Sequence, residues 1–496
     1  MLLPNRTKIV ATLGPASNDD EVLAQLIRAG TNVFRINCSH SDHANIIERI
    51  RLVRRVASAC NAQIGLLADL QGPKIRIGRL KNEEPIWLKP GSPLIIVSDK
   101  TVIGEDAKPG ETIRVGTSYE LLCKDVKPGE RILIDDGNLE VVVEKVLGRE
   151  VHTEVIYGGL LKQYKGINLP GTEVSADILT EKDLGDLKVA LEHNVDFVAL
   201  SFVRRASDLR LLGKLIKDAN SNARMISKIE RPEAAQNLEE IIDESYAVMV
   251  ARGDMGVELG AEAVPSLQKR IIKLSLAASK PVITATQMLE SMITNPRPTR
   301  AEASDVANAI YDGTSAVMLS AETASGKYPV RTVEIMSSII RRTEEDVFSH
   351  AGYAPGSSTD SVLLAPARAS LVPSNGRPDI ALATARAGAY AALEAGAKAI
   401  AVFTDSGQTA RHLSGERMST RVYAFTPHDE TVQRLALSWG VNTRKITKGA
   451  TSQEETLEGE RVLLNEGICQ PGDRVVMVFG TTRDPGMTNV MHIRTL

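Results

Sequence analysis

The chain has 496 residues, too many for one hydrophobic core, so about two to four domains are expected. It is 43% hydrophobic, and 59 Lys and Arg against 62 Asp and Glu give a formal net charge of −3, which argues against a general nucleic-acid binder and leaves small anionic substrates in local basic clefts open. Its four scattered cysteines form no Cys-x-x-Cys pair, which speaks against a thiolate zinc site. They suit a reducing compartment. Without an apolar leader at 1–8 or a run of membrane-spanning length, a soluble cytoplasmic protein is expected.

Lys8–Leu13, Asn32–Asn37 and Ile64–Asp69 read as strands, with helical runs at Asp19–Ala29 and Ala44–Ala59 between them. Such alternation implies a parallel sheet with helices outside. From Gly72 to about Leu169 the texture changes to short strand-like runs, punctuated by Lys-Pro-Gly turns at Lys89, Lys108 and Lys127 and by Asp135-Asp-Gly-Asn138. An inserted all-β domain, a small barrel, is expected there. Gly and Pro at both junctions (Gln71-Gly-Pro73 and 165–171) would suit hinges under a lid as well as a static connection. The α/β pattern resumes with strands at Asp196–Phe202, Arg224–Ile229, Tyr246–Ala251, Pro281–Thr286 and Ser315–Leu319. Eight strand–helix units fit a closed (β/α)8 barrel, whose site lies at the carboxyl ends of the strands. A helix at Val330–Glu345 precedes a Ser, Pro, Gly and Ala-rich stretch from Phe348 to about Pro378. A second α/β unit follows, with a helix near Ala383–Ala395 and strands at Ala399–Phe403 and Val475–Phe479. The expected division is 1–71 with 170–346 for the barrel, 72–169 for the insert, 347–378 for a linker and 379–496 for the last domain.

The strand ends carry Thr12, Arg35 with Asn37, Asp69, Ser201, Lys228 with Glu230, Arg252 with Asp254, Thr286, and Ser320 with Glu322. A barrel built for stability alone does not need a polar residue at every mouth. Lys228 and Glu230, two apart on a strand, face the same way. Buried together they fit a shared ligand or metal, or a structural ion pair. Glu230 and Asp254 are hard oxygen donors, and with Lys228 and Arg35 nearby they suit a magnesium ion bridged to a phosphate. The turn Arg252-Gly-Asp-Met-Gly256 offers backbone N–H groups to an anion. In the last domain, Thr404, Asp405, Ser406, Gly407, Gln408 and Thr409 follow a strand and open a helix. That position serves either as a phosphate pocket or as an ordinary helix cap. No P-loop and no Gly-x-Gly-x-x-Gly follows a strand. His40 and His43 lack a third zinc ligand.

Eight segments resemble, in order, motifs of the pyruvate kinase family. They are Ala11-Thr-Leu-Gly-Pro-Ala-Ser17, Arg35-Ile-Asn-Cys-Ser-His40, Asp69-Leu-Gln-Gly-Pro-Lys-Ile-Arg76, Lys165-Gly-Ile-Asn-Leu-Pro-Gly171, Ser227-Lys-Ile-Glu-Arg231, Ala251-Arg-Gly-Asp-Met-Gly256, Thr284-Ala-Thr-Gln-Met-Leu-Glu-Ser-Met292 and Met318-Leu-Ser-Ala-Glu-Thr323. The resemblance implies phosphoryl transfer from phosphoenolpyruvate to ADP, giving pyruvate and ATP. It implies that Arg35 and Lys228 grip the phosphoryl group and that Glu230 and Asp254 hold Mg2+, with Mn2+ as a substitute. Gly253, Asp254 and Thr286 would position the substrate carboxylate, and Thr286 and Ser320 stand where a proton relay is plausible. Asn37, His40, Arg76 and Lys165 would face the nucleotide. Asn37, Ser39, Asp69, Leu70 and Lys74 would surround the monovalent-cation site.

Many members have Glu where this chain has Lys74, and Thr-Lys where it has Leu70-Gln71. A fixed ammonium at Lys74 can stand in for K+, so K+ is expected not to be required. Ser41 replaces a usual Gly. The 404–409 loop, with Arg483, resembles the family's effector pocket for a sugar phosphate or AMP, and a homotetramer is the family habit. A magnesium-dependent lyase acting on a pyruvate enolate would not need the inserted domain or Lys165. A non-catalytic sugar-phosphate sensor would not need Lys228, Glu230 and Asp254 intact.

Overall fold

A computed structural model describes residues 4–106, 111–350, 379–481 and 486–496. Eight parallel strands close into a barrel: Lys8–Thr12, Val33–Asn37, Gly65–Asp69, Phe197–Leu200, Arg224–Ile229, Ala247–Ala251, Val282–Ala285 and Ala316–Leu319. The first pairs with the last, Lys8 opposite Ala316. Every residue of the first strand is buried, as expected for strands covered on both faces. Val10, Val33, Leu67, Phe197, Ile226, Met249, Ile283 and Met318 fill the barrel interior. Leu437 of the C-terminal unit joins that cluster. The larger cluster packs strands against helices: Leu23 and Leu26 of Asp20–Ala29 and Leu209 and Leu212 of Ala206–Asp218 lie on such apolar faces. The strand bounds match the sequence reading at Arg224–Ile229 and elsewhere differ from it by at most two residues at either end.

The insert carries a six-stranded sheet in the order Ile167–Asn168, Arg131–Ile134, Leu139–Leu147, Glu150–Tyr157, Pro93–Val97, Ile113–Gly116. A two-stranded ribbon pairs Ile86–Leu88 with Gly159–Leu161. The edges of the larger sheet meet across Arg76 and Ile77, which bridge to Gly166 beside one edge strand and to Thr117 beside the other. The sheet is thereby rolled around its own core of Leu94, Ile96, Ile132, Val141 and Val155. The turn at Asp135–Asn138 forms as read, with Gly137 at φ +86°. The turn at Lys108 lies outside the described residues.

The C-terminal unit is a five-stranded sheet of Val441–Lys445, Arg421–Thr426, Ala399–Phe403, Arg474–Gly480 and Thr488–Thr495, in that order, with only the last strand antiparallel. The third and fourth of these match the strands read from the sequence, whereas the first, the second and the antiparallel edge strand were not read; the side chains of the edge strand are mostly exposed.

The helix preceding the linker runs Pro329–His350, so residues 347–350 are helical rather than linker. The physical reason is a domain contact. Phe348 packs on Trp439 with ring centroids 6.3 Å apart, and the Arg6 guanidinium lies 4.3 Å from the Phe348 ring. One turn earlier, buried Glu344 accepts the backbone N–H groups of Arg6 and Thr7 at 3.0 and 2.6 Å. The remainder of the stretch, 351–378, lies outside the described residues, as does Arg483. No helix among the described residues is long and apolar enough to cross a membrane.

Candidate active site

Lys228 Nζ lies at the centre of the barrel mouth. It stands 3.0 Å from Glu230 Oε1 and 3.3 Å from Asp69 Oδ1, and donates to Ser201 Oγ at 2.8 Å. Strand alternation puts Lys228 and Glu230 on one side, as expected. Arg35, from the second strand, donates from Nε to Asp69 Oδ2 at 2.6 Å and from Nη1 to Thr12 Oγ1 at 3.1 Å. Asp69 therefore sits between two cations at the end of the third strand.

The electrostatics follow from burial. Burial alone would raise the Asp69 carboxyl, but Lys228 and Arg35 outweigh it and hold the group below the usual carboxylate range. Burial would lower Lys228, but Asp69 and Glu230 reverse that and hold it protonated. Glu230 is raised, first by burial and further by the negative charge of Asp254, against the pull of Lys228. A buried acid whose charge is disfavoured by a second carboxylate at the same mouth invites a cation.

Whether a divalent ion fits can be judged from the donors. Glu230 Oε1 is buried and, despite its ion pair, accepts no hydrogen bond, whereas Oε2 accepts the Phe202 N–H at 2.7 Å. Among the described residues no group of three or more His, Cys, Asp or Glu could hold a metal unaided. Two carboxylates, with the remaining positions left to substrate oxygens and water, match how Mg2+ is commonly held.

Three residues around this site are in left-handed backbone without being glycine: Phe202 at φ +56°, Thr286 at +68° and Gln287 at +54°. For β-branched Thr286 this is a strained state, held by its surroundings. Thr286 Oγ1 accepts from Gly253 N at 2.9 Å and donates to Ala285 O at 2.6 Å, while Arg252 donates to the Thr286 carbonyl at 2.7 Å. Its one hydroxyl proton is committed to Ala285. Ser320 N donates to Glu322 Oε2 at 2.6 Å, and Leu289 N donates to Glu322 Oε1 at 3.2 Å, so Glu322 caps backbone rather than facing the mouth.

The remaining residues from the sequence reading divide. His40 is lowered by burial and then by Arg76, Lys74 and Arg35, which places these cations in one neighbourhood. Lys74 lines a cleft with Asn168, Phe202, Asp254 and Glu258. Lys165 is engaged by Asp135 at 2.7 Å, and Arg76 donates to the Tyr164 carbonyl at 3.1 Å. Asn37 Oδ1 accepts Ser39 N at 3.2 Å, which shapes the turn carrying Ser39 and His40. Leu70 packs its side chain into the core, and its carbonyl accepts from Ser201 Oγ at 2.7 Å. In the C-terminal unit, Thr404, Asp405, Ser406, Gln408 and Thr409 line one cavity with Ser452, Glu455 and Thr488. Gly407 takes φ +79° there. Thr409 Oγ1 is tied to Thr488 Oγ1 at 2.6 Å. The lining includes Asp405 and Glu455 and, among the described residues, no Lys or Arg.

Sequence reasoning missed the contacts that hold these residues from behind. Arg231 and Glu258 pair at 3.0 Å behind Glu230 and Asp254, and burial raises the Glu258 carboxyl. Lys182 donates to the Cys38 carbonyl at 2.7 Å and so holds the Ser39–His40 turn. The i, i+4 spacing of Asp254 and Glu258 was the one available signal, since it puts both on one helix face.

The family profile described as "Pyruvate kinase, barrel domain" matches residues 4–333, and "Pyruvate kinase, alpha/beta domain" matches 382–494. Pyruvate kinase 2 of Synechocystis sp. is 43% identical across 100% of this chain and 80% of its own length. Pyruvate kinase of Mycobacterium intracellulare is 41% identical across 100% and 99%. The crystal structure of a pyruvate kinase from Cryptosporidium parvum superposes with a TM-score of 0.89 at 35% identity, covering 99% of this chain and 96% of that one.

Proposed function

The chain belongs to the pyruvate kinase family, and from that premise we propose that it moves a phosphoryl group from phosphoenolpyruvate to ADP, giving pyruvate and ATP. The observation that carries this reading is Lys228, held charged between Asp69 and Glu230 and within the same network as Arg35. A loosely bonded phosphoryl in transit needs little covalent chemistry and much fixed positive charge. Lys228 and Arg35 supply that charge with their geometry already set, so no reorganisation is required as the transfer proceeds.

Glu230 and Asp254 are the residues that would hold Mg2+ or Mn2+. When bound, that ion would supply Lewis-acid charge for the transfer. Gly253, Asp254 and Thr286 orient the carboxylate end of phosphoenolpyruvate. The left-handed Thr286 is the anchor of that turn. Arg76 and Lys74 form the electropositive side toward ADP, with His40 beside them on the turn that Asn37 shapes. Lys165 joins it by exchanging Asp135 for a phosphate. Lys74 provides the monovalent positive charge, so K+ is not required. Asn37, Ser39 and Asp69 remain as the surrounding oxygen donors. In this arrangement the Thr286 hydroxyl donates to the Ala285 carbonyl, so a relay through it would require that bond to open. Ser320 remains the candidate end of a water relay.

The cavity at 404–409 receives an activating phosphorylated metabolite. A cytoplasmic homotetramer is part of this proposal; the four free cysteines suit a reducing compartment. The direct test is ADP-dependent pyruvate formation from phosphoenolpyruvate by the wild type and by Lys228→Ala. Turnover by the first and its near-complete loss in the second are expected. Equal activity in both would remove Lys228 from the chemistry, and no pyruvate from the wild type would overturn the assignment.

A further inference from the structure

Arg231 and Glu258 are both buried, and their side chains meet across 3.0 Å between Nη1 and Oε2. Each is a near neighbour of one proposed metal acid. Arg231 follows Glu230 directly, so their Cα atoms are about 3.8 Å apart. Glu258 lies one helical turn beyond Asp254 on the helix Arg252–Leu259, a rise of about 6 Å. The ion pair thus spans the same gap as Glu230 and Asp254, between the mouth of the fifth strand and the helix after the sixth.

The same pair is tied to the returning junction of the inserted domain. Asn168 donates from Nδ2 to Glu258 Oε1 at 2.9 Å, and Arg231 Nη2 donates to the Thr172 carbonyl at 2.9 Å. Asn168 belongs to an edge strand of the inserted sheet. Arg231 also contacts Glu233 Oε1 at 3.2 Å, on the short helix Pro232–Gln236 that follows its own strand.

We infer that the Arg231–Glu258 pair is a brace that fixes the spacing of Glu230 and Asp254 and makes that spacing depend on the placement of the inserted domain through Asn168. The inference rests on the assignment of Glu230 and Asp254 to a divalent ion. Arg231 and Glu258 are positioning residues, since neither is placed on substrate or metal. A buried charge pair resists shear because separating its partners leaves each unsolvated. A one-residue step from Arg231 to Glu230 and a single helical turn from Glu258 to Asp254 leave little slack to absorb a change in the brace. A shift of the junction at Asn168 therefore moves a carboxylate that is rigidly linked to Asp254.

The test is direct Mn2+ binding, read by electron paramagnetic resonance on the full chain without turnover, alongside thermal unfolding. Glu258→Gln keeps shape and removes the charge. Its Mn2+ affinity should fall on the order of 10- to 100-fold, as when a partner of a metal-holding group is removed. Arg231→Lys retains an ion pair and should lose less. Asn168→Ala should weaken Mn2+ binding by a smaller factor, and the loss should not multiply when combined with Glu258→Gln, because both act through one carboxylate.

A merely structural pair would lower the unfolding midpoint and leave Mn2+ affinity unchanged, and that result for Glu258→Gln overturns the brace. Should Glu258→Gln not fold, unchanged Mn2+ affinity in Asn168→Ala overturns the link to the inserted domain. Glu230→Gln separates the layers. If it too binds Mn2+ normally, the metal assignment itself fails. If it loses Mn2+ while Glu258→Gln does not, only the brace fails.

Discussion

The backbone N–H of Gly253 donates to Thr286 Oγ1 across 2.9 Å, joining the turn after the sixth strand to the end of the seventh. The same hydroxyl gives its proton to the Ala285 carbonyl at 2.6 Å, so one side chain closes the turn and pins a strained backbone at φ +68°. A β-branched residue persists in this conformation only when its neighbours over-determine it. Function therefore accounts better for Thr286 than local preference does.

Thr286→Val keeps the shape and removes both hydrogen bonds. It should lower kcat on the order of 100- to 1000-fold, the scale seen when one fixed donor or anchor at a charged transition state is lost. Thr286→Ser retains the hydroxyl and should stay within about tenfold of wild type. Steady-state kinetics on both variants decide it. A Val variant as active as the Ser variant would show that the hydroxyl only completes the turn.

Lys228→Met tests the charge at the centre of the mouth. It leaves Asp69 with Arg35 but strips Glu230 of its cation, and an unpaired buried charge destabilises by about 3–5 kcal/mol. The sign with pH is defined. Lys228 is raised above its unfolded value, so its stabilisation is present at all pH values below the unfolded lysine pKa and is lost only as pH rises toward the folded one. In the variant, Glu230 loses the cation that opposes its upward shift, so the deficit should shrink as the pH is lowered from 7 to 5. Denaturant unfolding at the two pH values measures this. A deficit that grows on acidification contradicts the pairing.

Much of this architecture was legible in the sequence because the barrel repeats one event. A short run such as Ala247–Ala251 is wholly apolar, and the polar group follows at its carboxyl end, so strand and site announce each other. Lys228 and Glu230 were readable together because strand alternation is rigid. Phe348 was misread as linker, since the surrounding Ser, Gly and Pro outweighed a ring whose partner, Trp439, is 91 residues away in a unit with its own core. Arg231 and Glu258 were missed for a related reason. Charged residues next to a site look like solvated surface until burial is known, and burial is a property of the whole fold. The Thr409 hydroxyl looked available until the edge strand placed Thr488 against it.

Lys74 gives a test of the monovalent requirement. The wild type should show the same turnover when KCl replaces tetramethylammonium chloride at constant ionic strength. Lys74→Glu inverts the local charge beside the cleft shared with Asp254 and Glu258. It should make activity depend on K+, with a drop on the order of tenfold or more when K+ is withheld, since one missing positive charge near a developing anion is worth at least about 1.4 kcal/mol. A wild type that needs K+ would refute the substitution of ammonium for metal.

His412 predicts an acid sensitivity located in the C-terminal unit. It is buried on the helix that follows the 404–409 loop, 3.6 Å from Asp379 and facing Arg411, Arg386, Lys280 and Gln408. Burial first, and then the three cations against Asp379, push its pKa down to about 4. The unfolded chain binds a proton at about pH 6.5, so between those values the unfolded state holds more protons than the fold. Stability must therefore fall as pH drops through this window, by up to about 3 kcal/mol, and be fully present above it. His412→Gln keeps a neutral polar side chain at every pH. Relative to wild type, it should lose less stability between pH 7 and pH 5 in urea unfolding followed by fluorescence of Trp439, which packs on the same unit. An unchanged acid shift in the variant would mean that His412 is already solvated and that the carboxylates alone set the acid limit.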